Sequence, residues 1–435
     1  MKFLKKFILL LPLLIFTSCG EVYYVSSGGY TTKISGGLGL ISKSQEIQLG
    51  KSYIPLAVEE NNGLYPDKVV QNYVNNIGLK IAKYTPRKLP YRFYVVNTDI
   101  VNAFALPGGY IFINRGLLLV LENESQLAGV LAHELGHVNA KHHAKFMEKM
   151  LGINILYNIL GSTIADKSYG QLLLQIGGLG VKLLSLKWSR DQEREADKLG
   201  ILFSYKAGYD PKGLLQTFRI FQKLGKVDAP EWMLTHPLPQ NRYIEVKKLI
   251  IKLRPKPNLI KDTPEFHKIK KRILSTKKSY DLYKLALKEL AKKPSNVFNA
   301  LNYLNKSISL FPNNNASLTL RALIYAKNKN YKKAVVDSVK ACKIDNLYFS
   351  PHFIAGYSYY YLKDYNRAIL YLNRAKKLIP QQPDTYYYLG RAYEDKKNYS
   401  LAFRYYEKAL KLSNGKRGWE ADAKLRLKRL EKYLR

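Results

Sequence analysis

Two histidines and a glutamate, His133, Glu134 and His137, have the residue types and the spacing of a hydrolytic metal site. On a helix, residues four apart project from the same face one turn apart, so both imidazoles can reach one metal ion. In such an H-E-x-x-H arrangement the histidines bind zinc and the glutamate acts as the general base. The sequence therefore predicts one zinc ion (Zn2+) per chain, with His133 and His137 as ligands and Glu134 as a catalytic residue.

The residues around this motif predict the helix that it requires. Apolar residues recur at helical spacing from Leu127 to Leu135, and Glu124 with its small polar neighbours is typical of a helix start. The alternative is a buried helix whose two histidines only satisfy backbone carbonyls. His142 and His143 follow at angles that turn them away from the face of the motif, because each residue rotates about 100° around a helix. We expect both to be exposed.

A third ligand is expected downstream, because a catalytic zinc takes three protein ligands and keeps one position open. Glu193 and Asp197 lie one helical turn apart and share a face. One can bind the metal while the other accepts a hydrogen bond from a ligand imidazole and fixes its tautomer. The segment 189–197 is rich in both charges, so a solvated helix is an equally good interpretation of the spacing alone.

Three motifs, in this order, resemble the HtpX and CAAX prenyl protease family of zinc metallopeptidases. They are residues 101–113, with the sequence Val-Asn-Ala-Phe-Ala-Leu-Pro-Gly-Gly-Tyr-Ile-Phe-Ile, the zinc motif at 133–137, and the pair Glu193 and Asp197. The resemblance covers residues 44–250 and implies an α+β, mostly helical fold with a gluzincin-type zinc peptidase domain. It also implies that Glu193 is the third zinc ligand. Asp197 is then the residue that supports the ligands by a hydrogen bond and does not bind the metal itself.

The same resemblance implies a strand along the substrate cleft. This strand contains Asn102, Ala103 and Phe104 and is expected at the edge of a sheet. An edge strand offers unpaired backbone groups to an extended peptide, so such a cleft can bind chains with little side-chain preference. Unfolded polypeptide is the substrate that this arrangement favours.

A loop after the third ligand carries two more candidates for catalytic roles, His236 and Arg242. Prolines at positions 237 and 239 make this loop stiff and exclude a helix. His236 can fill the open zinc position and block it, or either residue can stabilise the developing oxyanion. A loop histidine without metal contact is the remaining alternative. A histidine recurs at this place in the periplasmic members of the family that the chain resembles, which favours a functional role.

The first residues resemble a bacterial lipoprotein signal. Three lysines precede an apolar run at 7–16, and Cys19 follows two small residues. The run is too short to span a membrane. This pattern predicts a signal peptide at 1–18, lipidation of Cys19 and a tether at 19–43, whereas ordinary cleavage with Cys19 lost or left free is the alternative. Gly20 matches the enterobacterial pattern that directs lipoproteins to the outer membrane.

A period of 34 residues organises the C-terminal half and relates Ala300, Ala334, Ala368 and Ala402. Small residues where two helices cross, with large residues between them, are typical of tetratricopeptide repeats. An α-solenoid of such repeats presents a concave surface that binds peptides or partner proteins. We predict a capping helix at 417–435 after four repeats, at 281–314, 315–348, 349–382 and 383–416.

Between the domains, two prolines in the segment 254–258 predict a semi-rigid break, with the peptidase domain at 44–254 and a basic linker helix at 255–280. Residues 251–435 contain 41 Lys and Arg against 14 Asp and Glu, in a chain of net charge +38. Such a field attracts acidic protein segments or anionic lipid head groups. Nucleic acid is not an expected partner, because an exported chain rarely meets it and no nucleic-acid motif is present.

Residues 150–187 are apolar and rich in glycine, with a polar break near the middle. Neither half reaches the roughly 20 apolar residues that a membrane span needs. We expect a helical flap over the cleft or a surface that leans on the membrane. A buried helical pair in the peptidase core is the alternative.

These features predict a periplasmic, lipid-anchored zinc endopeptidase at the outer membrane, whose repeats recruit unfolded or misassembled envelope proteins. The resemblance to the periplasmic family members implies outer-membrane proteins as clients and the outer-membrane assembly machinery as a partner. The competing interpretation is a binding module, a chaperone or scaffold whose peptidase is held inactive by His236. Because Glu134 and every expected ligand are present, catalysis is favoured.

Overall fold

A small sheet with helices packed on it forms the first part of the chain, and paired helices form the second. The computed structural model describes residues 23–34, 39–149, 186–225, 229–237, 240–413, 415 and 417–433. The elements before the repeats are β1 (Tyr23–Ser27), β2 (Tyr30–Ile34), α1 (Lys43–Glu60), α2 (Lys68–Ala82), β3 (Arg92–Val96), β4 (Ala103–Leu106), β5 (Tyr110–Asn114), α3 (Arg115–Val120), α4 (Glu124–Asn139), α5 (Arg190–Lys206), α6 (Lys212–Leu224), α7 (Glu231–Thr235) and α8 (Gln240–Lys252). A further helical segment covers 142–149. The predictions for Cys19 and for residues 150–185 lie outside the described residues.

The three-stranded sheet supplies the predicted edge strand. Its order is β3–β5–β4, with β3 parallel and β4 antiparallel to β5. In the described part of the chain β4 therefore lies at an edge, and it begins at Ala103, one residue after Asn102. Phe104 stacks on Phe112 of β5 with ring centroids 5.0 Å apart, and every residue of β4 is buried. Its side chains thus hold the edge strand against the core.

Helices α4 and α5, which carry most of the candidate residues, cross closely. Helix α4 begins after Asn123, whose side chain accepts a hydrogen bond from a backbone N–H of the first turn at 3.1 Å. At the crossing, a Cβ on Gly136 would lie 2.5 Å from the carbonyl oxygen of Ala196, and a Cβ on Gly200 would lie 2.9 Å from the backbone nitrogen of His133. Because glycine has no Cβ, the two backbones can approach closely enough to share one site.

The structure corrects the prediction of a plain tether over residues 19–43. Residues 23–34 form a hairpin of β1 and β2 that is closed by Gly28 and Gly29, both with positive φ. Val25 and Ile34 of this hairpin are buried in the main core of the peptidase domain. Two glycines between short runs of strand-forming residues are typical of a two-residue hairpin turn, so this element was predictable from the sequence.

The repeat array follows the predicted period. The first helices of the last three predicted units begin at Asn315, Phe349 and Pro383, which are 34 residues apart. The final helix lies where a capping helix is predicted. The elements of this part are α9 (Pro264–Ala291), α10 (Val297–Leu310), α11 (Asn315–Lys327), α12 (Tyr331–Ile344), α13 (Phe349–Tyr361), α14 (Tyr365–Leu378), α15 (Pro383–Asp395), α16 (Tyr399–Ser413) and α17 (Glu420–Leu430). The mostly helical α+β fold with C-terminal helical repeats is confirmed.

The predicted linker helix and the first helix of the first repeat are one continuous helix, α9. Its first half packs on the core of the peptidase domain through Phe266, Ile269 and Ile273. Its second half contributes Ala286 to the first cluster of the repeat array. The predicted boundary at residue 280 therefore falls inside a helix, because apolar residues at helical spacing join this segment to both of its neighbours.

Hydrogen bonds also join the array directly to the peptidase domain. Asp345 accepts from the backbone N–H of Leu64 at 2.7 Å, and Asn315 donates to the carbonyl oxygen of the same residue at 3.2 Å. The backbone N–H of Ser350 donates to the carboxylate of Glu59 at 3.0 Å. These bonds connect α1 and the loop after it to the helices of the second and third repeats.

Among the described helices, none is both long and apolar enough to cross a membrane.

Candidate metal centre

Four buried side chains converge where α4, α5 and the end of α7 meet. They are His133, His137, Glu193 and His236, and one ligand atom of each lies within 4.8 Å of those of the other three. Nε2 of His133 lies 3.1 Å from Nε2 of His137 and 3.3 Å from Nδ1 of His236. Oε1 of Glu193 lies 3.2 Å from Nε2 of His137 and 3.0 Å from Nδ1 of His236. The structure thus brings the three ligands expected from the sequence together with the loop histidine.

These separations suit a tetrahedral metal ion. Zinc bonds of about 2.0–2.2 Å at tetrahedral angles place neighbouring ligand atoms about 3.3–3.6 Å apart. Three imidazole nitrogens and a carboxylate oxygen form a donor set that zinc accepts in proteins. Burial holds the pKa of His137 well below its ordinary value, so its imidazole is neutral, which is the form that binds a metal. The four residues therefore fit one zinc ion.

Asp197 and Arg242 support the ligands from behind. Oδ1 of Asp197 lies 2.9 Å from Nδ1 of His133, which turns Nε2 of that ring toward the other ligands. Arg242 donates to both oxygens of Asp197 at 2.8 Å, and its Nη1 lies 2.5 Å from Oε2 of Glu193. Burial alone would raise the pKa of Asp197, but the charge of Arg242 and its hydrogen bonds hold it below the ordinary value. The guanidinium that the sequence suggested for the oxyanion is 1% exposed and engaged in these ion pairs.

Glu134 lies beside the four candidate ligands without joining them. Its Oε1 is 3.7 Å from Nε2 of His236, and both side chains are buried. Burial raises the pKa of the Glu134 carboxyl to about 7. A carboxyl group with such a pKa can take and return a proton near neutral pH, as a general base must.

The expectation that His142 and His143 are exposed is wrong. They are 0% and 3% exposed, and they belong to the helical segment that follows α4. Between the two helical segments, Lys141 has a φ of 56°, so the chain changes direction before it resumes a helix. The helical rotation of α4 does not continue past this residue. Extending it to His142 and His143 therefore predicted the wrong direction for both side chains.

His142 links a candidate ligand to a carboxylate. Its Nδ1 lies 2.8 Å from Nδ1 of His137, and its Nε2 lies 3.1 Å from Oε2 of Glu195. When Nε2 of His137 faces a metal, Nδ1 of His137 carries the proton and donates to His142, which in turn donates to Glu195. The second histidine of the motif therefore has its own supporting chain, which the sequence analysis missed.

The outer edge of β4 carries the backbone groups of Ala103 and Ala105. The N–H of Asn114 donates to the carbonyl oxygen of Asn102 at 2.9 Å, which makes these two residues a hydrogen-bonded pair. Such pairs alternate along an antiparallel ladder, so the backbone groups of Ala103 and Ala105 point away from β5. The carbonyl of Ala105 accepts a hydrogen bond from the His143 side chain. A buried histidine therefore already uses one group of the predicted peptide-binding edge.

A cavity of about 10 Å³, which has room for about one water molecule, separates this edge from the metal centre. Ala105, Glu134 and His236 border the cavity, and Leu186 and Trp188 close it. A peptide cannot enter a space of this size. Peptide binding at the edge strand therefore requires the side chains around the cavity to move.

The short helix α7 holds His236 in place. The His236 ring stacks on Trp232 with centroids 4.7 Å apart, and its backbone N–H donates to the Trp232 carbonyl at 2.7 Å. On the other side, the N–H of Trp188 donates to the carbonyl of Thr235 at 3.2 Å. These contacts present Nδ1 of His236 to the other candidate ligands as a fourth donor. Positions 238–239 of the proline-braced loop lie outside the described residues.

The sequence is similar to known families in both parts of the chain. Residues 68–250 match peptidase family M48, and residues 350–382 and 383–415 each match the tetratricopeptide repeat. The chain therefore contains a region that matches peptidase family M48, followed by tetratricopeptide repeats, as the three motifs and the 34-residue period predict. The two matched repeats coincide with the third and fourth predicted units.

Individual relatives match between about a third and a half of the chain. The beta-barrel assembly-enhancing protease of Escherichia coli (strain K12) is 29% identical over 243 residues, which cover 54% of this chain and 49% of that protein. The Yersinia pestis protein of the same name is 32% identical over 228 residues, covering 50% of this chain and 46% of its own length. The mitochondrial metalloendopeptidase OMA1 of Arabidopsis thaliana is 33% identical over 154 residues, covering 35% and 30%. The chain spans about half the length of the first two relatives.

Proposed function

We propose that this chain is a zinc-dependent endopeptidase. The observation that carries the proposal is the buried cluster of His133, His137 and Glu193, with Glu134 next to it. The outer edge of β4 lies in front of this cluster and can pair with an extended peptide. A bound zinc would acidify a water molecule and polarise the scissile carbonyl group.

The residues of the chain supply the remaining chemistry. Once the His143 side chain releases the carbonyl of Ala105, the outward backbone groups of Ala103 and Ala105 pair with the substrate and bring its scissile bond next to Glu134. Glu134 takes the proton of the attacking water and passes it to the leaving amine, which a pKa of about 7 permits at neutral pH. Asp197 keeps the His133 ring oriented throughout.

Metal content and cleavage of casein, measured on the same purified protein, test this proposal. Glu134→Gln should keep zinc, because Glu134 is not a ligand, and should lower the cleavage rate by on the order of 10²–10⁴-fold. Glu245→Gln is a matched control, because that carboxylate is 39% exposed and lies outside the cluster. A Glu134→Gln protein that cleaves casein at the unchanged rate would exclude the assigned role.

We further propose that His236 keeps the resting enzyme inactive. Its Nδ1 lies 3.0 Å from Glu193 and 3.3 Å from His133, so a zinc ion at this centre has a fourth protein donor. A water molecule then has no position at which it can be activated. Activity requires His236 to leave, and a client can favour that state only through a different affinity for the two states.

The variant His236→Ala separates two roles by the sign of its effect. An inhibitory fourth ligand predicts that His236→Ala keeps zinc and cleaves casein faster than the natural protein. An oxyanion donor predicts a fall in turnover of on the order of 10²–10³-fold. If neither protein cleaves casein while both bind zinc, the chain is better described as a chaperone or scaffold.

We also propose that the substrates are unfolded or misassembled proteins of the cell envelope. Support comes from the Escherichia coli relative, whose name describes a protease that enhances β-barrel assembly. The basic repeat array suits acidic segments of clients or of the outer-membrane assembly machinery.

For location, we propose a lipid anchor at Cys19 in the periplasm, at the outer membrane. Acyl chains contribute about 0.8 kcal/mol of membrane affinity per buried methylene. Cys19→Ser should therefore move the protein from the membrane fraction to the soluble periplasm. Membrane association of Cys19→Ser that persists in high salt would argue against the anchor.

A further inference from the structure

A cavity of about 820 Å³ lies beside the metal centre, and none of the candidate ligands lines it. Its volume is within the range of about 300–1,000 Å³ that is typical of ligand sites. One wall is the segment just before β4, and the other consists of the end of α6, Ala229, Pro230 and helix α7. The lining includes Asp99, Ile100, Val101, Glu231, Leu234 and Thr235.

The large cavity adjoins both parts of the proposed active site. Thr235 lines this cavity and also the small cavity that Glu134 borders. The next residue in the chain is His236. On the other wall, Val101 directly precedes Asn102 and the edge strand. A peptide that runs along the outer edge of β4 toward the start of that strand therefore points toward the large cavity.

The walls of the cavity present apolar side chains that face solvent. Ile100 is 44% exposed and Leu234 is 60% exposed, and they lie on opposite walls. Exposed apolar side chains in a concave site mark a place where an apolar group binds. At the rim, Asp99 forms an ion pair with Lys284 of α9, so the cavity lies where the repeat array meets the peptidase domain.

We propose that this cavity is a substrate subsite that binds a large apolar side chain, such as Phe or Leu, of an extended unfolded polypeptide. The inference rests on the proposed peptidase function. Antiparallel addition is the more stable pairing of a strand with β4. In that orientation, the carboxyl-terminal part of the substrate points toward the start of β4. The subsite thus selects a residue on the carboxyl-terminal side of the scissile bond.

Occupancy of this subsite acts on the helix that holds His236. Helix α7 has five residues, and two of its hydrogen bonds go to the opposite wall of the cavity. The N–H of Trp232 donates to the carbonyl of Val101 at 3.2 Å, and Asn102 donates to the carboxylate of Glu231 at 3.3 Å. A side chain packed between these walls contacts Leu234 and Thr235, directly before His236. Binding energy at the subsite can therefore be used to move His236, which raises kcat as well as affinity.

The variants Ile100→Ser and Leu234→Ser test the subsite, and both change exposed side chains. Ile251→Ser is the matched control, because Ile251 is 72% exposed and does not line the cavity. Cleavage sites in casein, mapped by mass spectrometry, should show a preference for large apolar residues on the carboxyl-terminal side. In the two cavity variants this preference should be lost and kcat/KM should fall by on the order of tenfold or more. An unchanged cleavage pattern and rate would overturn the proposal.

A binding measurement tests the same subsite without catalysis. The probe is a short fluorescein-labelled peptide of Gly, Ser and Ala with one central Phe, added to zinc-loaded Glu134→Gln protein and followed by anisotropy. It should bind more tightly than the same peptide with Ser in place of Phe, and Leu234→Ser should remove the difference. An equal affinity of the Glu134→Gln protein for the two peptides would overturn the subsite.

A second background separates the subsite from the proposed activity. In His236→Ala protein, Leu234→Ser should still weaken binding of the Phe peptide but should no longer lower kcat. A remaining loss of kcat would overturn the coupling to His236. If no protein in the series cleaves casein, the peptidase proposal fails, and the anisotropy of the two peptides still decides the subsite.

Discussion

The metal centre and the repeat array differ in where most of their charged residues lie. In the centre, His133, His137 and Glu193 are fully buried, and their polar atoms are paired with one another and with groups behind them. In the array, small residues such as Ala334 and Ala368 occupy the helix crossings, and most of the many lysines lie at the surface. Buried charges are costly unless they are paired, so the centre has little freedom, whereas the array can vary its surface. A substitution should therefore alter metal binding in the first region and packing or recruitment in the second.

The largest expected effect is the loss of zinc from Glu193→Ala. This change removes one ligand and leaves the Arg242 guanidinium beside an emptied position. Loss of a residue that only supports a ligand lowers metal affinity by about 10–100-fold, so loss of a ligand should lower zinc affinity by more than that. Casein cleavage should be lost together with the zinc. Zinc content after dialysis measures the change, with Asp191→Ala, 91% exposed on the same helix, as the control. Full zinc occupancy in Glu193→Ala would show that the third ligand is another residue.

A smaller loss of zinc affinity is expected for His142→Ala. The change removes the acceptor for Nδ1 of His137 and breaks the chain to Glu195. Zinc affinity should fall by about 10–100-fold, measured by competition with a chelator. His142→Asn should restore much of it, because its amide oxygen can accept in place of Nδ1. His267→Ala, at a 55% exposed histidine, is the control. Unchanged zinc affinity in His142→Ala would mean that the pairing does not support the ligand.

The smallest effect is expected where the repeats join the peptidase domain. Asp345→Ala leaves the N–H of Leu64 without its acceptor. Burial raises the pKa of Asp345, so removal of a buried carboxyl offsets part of this loss. We expect the free energy of unfolding to fall by about 1 kcal/mol, measured from the urea midpoint, with zinc content unchanged. Lys343→Ala, an exposed change on the helix that ends just before Asp345, is the control. Loss of zinc from Asp345→Ala would show that metal binding depends on the junction between the repeats and the peptidase domain.

Local patterns predicted most of the fold. The starts of the repeat helices at Asn315, Phe349 and Pro383 follow the 34-residue period, because each unit packs mainly on its sequence neighbours. Helix α4 also lies where its periodicity predicts it. The edge strand lies where the family resemblance implies it. The hairpin at 23–34 was missed although its paired glycines are a usual turn pattern, so that error lies in the interpretation and not in the sequence.

The sequence by itself determined which residues share a helix face and where the units of the array begin. These properties depend on backbone rotation and on side chains a few positions apart. Only the tertiary structure decided that His142 turns back toward His137, because a single residue with positive φ ends the local periodicity. It also decided that His236 reaches His133 across 103 positions of sequence. Such a contact depends on the packing of every element between the two residues, which no local pattern contains.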